Sequence, residues 1–196
     1  KPLFAAVVLA LPGLVFAQAT TGIGQITVTG QPAAAGAGLM IQEESVKARS
    51  TATGEYLSTQ MPTASPYQGI RLLPGVNAHS TDATGLFGGS LTVRGFNADQ
   101  MGFTIDGAPV NDSGNYAVYP QEYVDLENLE EIFLTQGAID IEAPHIGAVG
   151  GNIGIVSANP TDQRRLRIAQ TLGDKKLTRT FARFDTGRFN GDATKL

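Results

Sequence analysis

The stretch LTVRGFNADQMGFTIDGAPVND, residues 91–112, decides how this chain is read. Leu91 and Val93 alternate with Thr92 and Arg94, and Phe103 and Ile105 alternate with Thr104 and Asp106. Period-two alternation is the mark of a half-buried strand. Pairing of the two as one hairpin centred near Gln100 would bring Arg94 close to Asp106 on the polar face, where opposite charges add about 0.2–1 kcal/mol. Each charged residue precedes a glycine, Gly95 and Gly107, which permits positive φ and close backbone approach. An isolated hairpin is marginal, so this one must lean on a larger body.

Four further stretches extend the pattern: LLPGV (72–76), LEEIFLTQG (129–137), GAVGGNIGIVS (147–157) and a short β-prone segment, QITVTG (25–30). RGF, then IDG with APV after it, flanked by the first three of these in this order, resembles the plug domain of TonB-dependent outer-membrane receptors. The resemblance implies an α+β fold: a small mixed-sheet plug domain with short helices, followed by the first antiparallel hairpin of a transmembrane β-barrel, here truncated. Residue 133 is Phe where the family often has a second Glu, and residue 136 is Gln where a basic residue is common. Those departures touch charge pairing there and leave the fold assignment intact.

Composition agrees. Charged residues make up 16% of the 196, below the roughly 25% of ordinary soluble domains, and the 24 glycines suit strands and turns. A net charge of −4 argues against nucleic-acid binding, which needs a basic stripe. Without cysteine there is no disulfide scaffold, thiolate zinc site or cysteine nucleophile. The two histidines stand far apart in sequence, and no Ser/His/Asp set, nucleophile elbow or HExxH motif is visible. An enzyme is therefore not expected, nor a catalytic residue, a bound metal or a cofactor.

Taken in order, residues 1–19 have a basic start, an apolar run and Ala17-Gln18-Ala19, as a secretory signal does. The run is shorter than the ~20 residues of a spanning helix, and Pro12 and Gly13 interrupt it. Residues 20–40 hold QITVTG and a small-residue linker. On the residues alone QITVTG could be a disordered tail. The resemblance makes it the TonB box, with Gln25, Ile26, Thr27, Val28 and Thr29 adding a strand to the periplasmic partner TonB. The box follows so soon after the signal that no signalling domain is expected before it. Residues 41–160 are expected to form the plug and 161–196 the start of the barrel. Between residues 41 and 73, Glu43 to Arg49 reads as either a helix turn or a strand, broken at Thr53-Gly54, and Pro62 and Pro66 exclude one long helix.

Residues 77–90, 97–101 and 111–123 read as polar loops. The last holds Tyr116, Tyr119 and Tyr123, whose rings either pack on the domain or offer a ligand rigid faces with polar tips. By resemblance the loops are the plug's outward apices, with His79, Asn97, Gln100, Tyr116 and Tyr119 as candidate ligand contacts, while Arg94 and Asp106 belong to the charge network that seats the plug. The acidic run from Glu122 to Glu131 reads as a solvated face, and His145 as structural. Gly150-Gly151 precede a strand and no helix follows, so they are a tight turn and not a phosphate cradle.

From residue 165, Leu166, Ile168 and Leu172 share one face while Arg165, Arg167 and Ala169 share the other, as in a membrane strand with lipid outside and a polar lumen. In the second strand Phe181 falls on the side of Arg179 and Arg183. The expected whole is an energy-coupled import receptor in the outer membrane of a Gram-negative bacterium. Its partners would be TonB, outer-membrane lipid and a ferric siderophore or similar metal complex. The competing reading is a secreted soluble binding or adhesive β-domain, which would need neither a free residue 25–30 segment nor lipid-facing alternation.

Overall fold

The computed structural model describes residues 40–42, 47–137, 143–145, 147–191 and 194–196. The expected signal segment, TonB box and linker lie outside the described residues. A six-stranded mixed sheet, a three-stranded sheet and a separate two-stranded hairpin make up the strand framework. The large sheet contains β1 (Met40–Gln42), β2 (Arg49–Thr53), β6 (Gly102–Ile105), β7 (Ala108–Pro109), β8 (Leu129–Gln136) and β9 (Gly151–Ser157), in the order β1-β2-β8-β9-β6-β7. Only β6 and β9 run parallel; the other neighbours are antiparallel. The small sheet is β3 (Val76–Ser80), β4 (Gly89–Val93) and β5 (Phe96–Asn97).

Alternation explains which face of the large sheet is buried in the core. Ile132 and Leu134 on β8 stand opposite Ile155 and Ile153 on β9, and Phe103 of β6 lies beside Ile153. All five are at most 1% exposed, and burying each such side chain is worth about 1.5–3 kcal/mol. Two short helices join this core, α1 (Gly54–Ser58) and α2 (Pro66–Gly69). The Thr53 hydroxyl caps α1 by accepting from Tyr56 N at 3.3 Å. Ser65 and Pro66 start α2, and the Gln68 side chain accepts from Ser65 N at 3.1 Å. Thr53-Gly54 is thus where strand becomes helix. An added Cβ at Gly54 would stand 2.8 Å from the Leu129 and Glu130 carbonyl oxygens, so the close approach requires glycine.

The expected single hairpin over residues 91–112 is corrected. β4 pairs with β3 and β5, whereas β6 pairs with β9 and β7. Arg94-Gly95 and Asp106-Gly107 are each the two-residue loop of their own hairpin, closing Val93 on Phe96 and Ile105 on Ala108. All four loop residues have positive φ, 49° and 89° in the first and 49° and 83° in the second. That is the type I′ turn, whose twist matches that of flanking strands. Arg94 and Asp106 therefore belong to different sheets and form no pair with each other. The Asp106 carboxylate instead accepts from the Ser157 N–H and hydroxyl, both at 2.8 Å. Arg94 makes no ion pair among the described residues; its N–H donates to the Gly75 carbonyl at 2.9 Å.

The expected loop at 77–90 is likewise shorter. Residues 76–80 and 89–93 are paired strands around a loop at 81–88, and His79 sits exposed on β3 opposite Ser90. β10 (Arg165–Leu172) and β11 (Thr178–Asp185) form an eight-row antiparallel hairpin with side chains alternating strictly between its two faces.

Candidate functional site

Two places concentrate polar chemistry: the loops at 81–88 and 111–123 with the turn at 97–101, and the seam between plug and hairpin. In the loop at 81–88, Asp82 is the organiser. Its carboxylate accepts from Thr84 N at 2.9 Å, from Phe87 N at 3.2 Å and from the Thr84 hydroxyl. The Thr84 hydroxyl first, then these backbone N–H groups, hold the carboxyl below its ordinary range. So tied, the loop presents Leu86 and Phe87 to solvent, Phe87 at 80% exposure.

In the segment at 111–123, Asn111 accepts from Phe103 N at 2.8 Å and donates to the Met101 and Tyr116 carbonyls at 3.0 and 3.1 Å. Asp112 accepts from Asn115 N and Gly114 N, which hold its carboxyl below its ordinary range. The Tyr67 hydroxyl donates to the Val118 carbonyl at 3.0 Å, and burial pushes its pKa strongly up.

The expected ligand contacts do not form one cluster. Asn97 and Gln100 come together, the Gln100 side chain accepting from Asn97 N at 3.0 Å to close the turn at Ala98–Gln100. Tyr116, at φ 62°, turns inward and meets His145 edge-on, ring centroids 6.2 Å apart. Tyr119 and Tyr123 face outward, each about half exposed. His79 stays on its strand. His145 is 7% exposed and lies so close over Gly102 that a Cβ there would collide with its ring.

The seam escaped the sequence reading. Alternation puts Leu166, Ile168, Leu172 and Phe184 on the exposed side of the hairpin, at 57–76%. The other side carries Arg167, Arg179, Phe181 and Arg183, and it turns toward the plug. Glu127, in the turn Leu126–Asn128, has a side chain only 8% exposed. It is ion-paired with Arg179 and, at 3.6 Å, with Arg167; Asp125 meets Arg179 at 3.1 Å. Both guanidinium groups lie 5.5 Å from the ring of Phe181, which is 6% exposed. Arg183 pairs with Asp185 at 2.9 Å and donates to the Ala158 and Asn159 carbonyls, each at 3.2 Å.

The acidic run is therefore corrected at Glu127, which is consumed by two arginines and not solvated. Phe181 faces the plug rather than open water, which is why an aromatic ring sits among charges. The available signal was a string of arginines on one face of the hairpin, following an acidic segment earlier in the chain.

The positions that depart from the family pattern also have visible roles. Phe133 covers Gly154, with the Arg49 guanidinium 3.8 Å from its ring centre, and Gln136 donates to the Pro74 carbonyl. Among the described residues no cluster of three metal-ligating side chains occurs, and no helix is long and apolar enough to cross a membrane, which says nothing of strands.

The family model for the TonB-dependent Receptor Plug Domain matches residues 41–151, more than half of the chain. The chain belongs to that family. No curated protein matches it. Among solved structures, FpvAI in its complex with pyocin S2 aligns with TM-score 0.60 at 16% identity, covering 78% of this chain and 19% of that one. The siderophore receptor PirA from Acinetobacter baumannii aligns at 0.52 with 22% identity, covering 70% and 22%. The ferric yersiniabactin uptake receptor FyuA from Yersinia pestis aligns at 0.53 with 18% identity, covering 71% and 21%. At these identities the likeness establishes the shared fold, and this chain spans about a fifth of the length of each of these receptors.

Proposed function

We propose that this chain is the entry portion of an energy-coupled import receptor in the outer membrane of a Gram-negative bacterium. The observation that carries the reading is the hairpin's two faces. One offers exposed Leu166, Ile168 and Phe184 in the alternation that hydrocarbon demands. The other grips the plug through Arg167 and Arg179. A soluble β-domain has no use for the first face.

In this reading residues 1–19 are the export signal, residues 20–40 the TonB-docking strand and its tether, residues 41–160 the plug and residues 161–196 the first barrel hairpin. A barrel wide enough for transport is not filled by its own side chains, so the plug closes it. Cargo, a ferric siderophore or a similar metal complex, settles on the outward loops, with Tyr119 presented and Asn97, Gln100, His79 and Tyr116 placed around or beneath that surface. TonB adds a strand to Gln25, Ile26, Thr27, Val28 and Thr29 and pulls. Arg94 and Asp106 help seat the plug separately, Asp106 through the turn it ties to Ser157.

Replacing Val28 by Pro in the full-length receptor removes a backbone donor from the docking strand. Cargo binding should persist while uptake falls to the level of cells lacking TonB. Uptake that continues unchanged overturns the docking assignment.

A further inference from the structure

The loops read as outward carry no Lys or Arg. Residues 81–88, 97–101 and 111–123 contain none but hold four carboxylates, Asp82, Asp99, Asp112 and Glu122. Asp82 and Asp112 are held in place by hydrogen bonds from their own loops, and carboxylates of this kind are ionised at neutral pH. Asp99 and Glu122 are exposed.

The loops also touch one another. The Gln121 side chain lies over Gly88, where an added Cβ would stand 2.8 Å from its Nε2, and Asn111 Nδ2 donates to the Met101 carbonyl at 3.0 Å. The negative charges thus share this connected set of loops with Phe87, 80% exposed, and with Tyr119 and Tyr123, 49% and 50% exposed. Aromatic faces attract apolar rings and cations. Each carboxylate repels an anion, several-fold in affinity at contact range and more as water is squeezed out.

We propose that the plug selects cargo without net negative charge, meeting a neutral or cationic, ring-bearing or apolar face with Phe87 and Tyr119, and that it disfavours polyanionic ferric chelates. This rests on reading the outward loops as the cargo surface.

The test uses the full-length receptor in outer membranes and three radiolabelled iron probes: a trianionic ferric tris-catecholate, a neutral ferric tris-hydroxamate, and a tris-hydroxamate bearing one ammonium. At low salt the neutral and cationic complexes should bind at least about tenfold more tightly than the trianion. In the double variant Asp99→Lys/Glu122→Lys the trianion should gain about tenfold and the cationic complex should lose affinity. Trianion binding equal to or tighter than the neutral complex overturns the proposal, as does a ranking that the charge reversal leaves untouched. Phe87→Ala and Tyr119→Ala separate the two levels of the argument. If these variants weaken binding while the charge ranking fails, the charge inference alone falls. If they change no probe's affinity, or no probe binds at all, the cargo-surface reading falls and takes the inference with it.

Discussion

The carboxylate of Glu127, on the plug, is gripped by the guanidinium of Arg179, on the second strand of the hairpin. The pair lies mostly out of solvent, at 8% and 17% side-chain exposure, with Arg167 and Asp125 as outer members. It joins segments 52 residues apart in sequence. Removing one partner of a buried pair leaves an uncompensated charge, which costs about 3–5 kcal/mol. Glu127→Ala should fall at about 3 kcal/mol, the low end, because Arg179 keeps Asp125. The loosened seat should raise single-channel conductance of the full-length receptor in planar bilayers. Asp125→Ala, whose side chain is 54% exposed, should change little. Equal conductance in Glu127→Ala and wild type would show that the seam does not hold the plug.

What the sequence discloses, and what it withholds, follows from the range of the interactions. Strand existence was legible at residues 129–137, 147–157 and 165–172, because burial of Ile132, Leu134, Ile153 and Ile155 is written into each strand's own alternation. Pairing was not. Leu91–Val93 and Phe103–Ile105 have the same pattern whether they pair with each other or with β3 and β9. The local clue lay in Arg94-Gly95 and Asp106-Gly107, since Asp-Gly between alternating residues is itself a hairpin signal. The seam depends on an acidic turn meeting a hairpin far along the chain, and no local period encodes that meeting. The loops at 97–101 and 111–123 were legible as irregular segments and the one at 81–88 only in part, yet nothing local distinguishes Tyr116, packed on His145, from Tyr119, half exposed.

The Phe133 ring occupies the space a side chain at Gly154 would need, so the two positions are coupled across β8 and β9. Gly154→Ala should destabilise the plug by about 1–3 kcal/mol through overpacking. Phe133→Leu in the Gly154→Ala background should recover part of that loss, although Phe133→Leu alone weakens the Arg49 stacking. Thermal unfolding of the plug in the purified receptor reads both, and additive losses in the double variant would refute the coupling.

Asp106 serves its turn in two ways: it accepts positive φ, and it binds Ser157 twice. Asp106→Asn should be nearly neutral, because Asn tolerates that conformation and keeps an acceptor. Asp106→Ala loses both and should cost about 1–2 kcal/mol. Ser157→Ala removes the hydroxyl bond and leaves the backbone one, so it should cost less than Asp106→Ala. Denaturant midpoints of the three variants give the order, and an Asn variant as damaged as Ala would point to the charge itself.

His145 gives the plug a dependence on pH whose sign is set by burial. Its imidazole is 7% exposed, and desolvation lowers its pKa below the ordinary value, opposed in part by a backbone group of Phe103. The native plug therefore holds His145 neutral at a pH where the unfolded chain has begun to protonate it. The unfolded state binds the extra proton, so stability is complete above the unfolded pKa of about 6.5. It declines as the pH falls from there toward the depressed native value, by at most about 1.4 kcal/mol per pH unit for this one group, and levels off below it. Thermal unfolding of the receptor's plug at about pH 7.5 and about pH 5.5 should show the loss in wild type and a smaller one in His145→Asn, which cannot titrate. A pH dependence as steep in His145→Asn as in wild type would assign the effect to other groups, and would leave His145 as a purely steric pin between Gly102 and Tyr116.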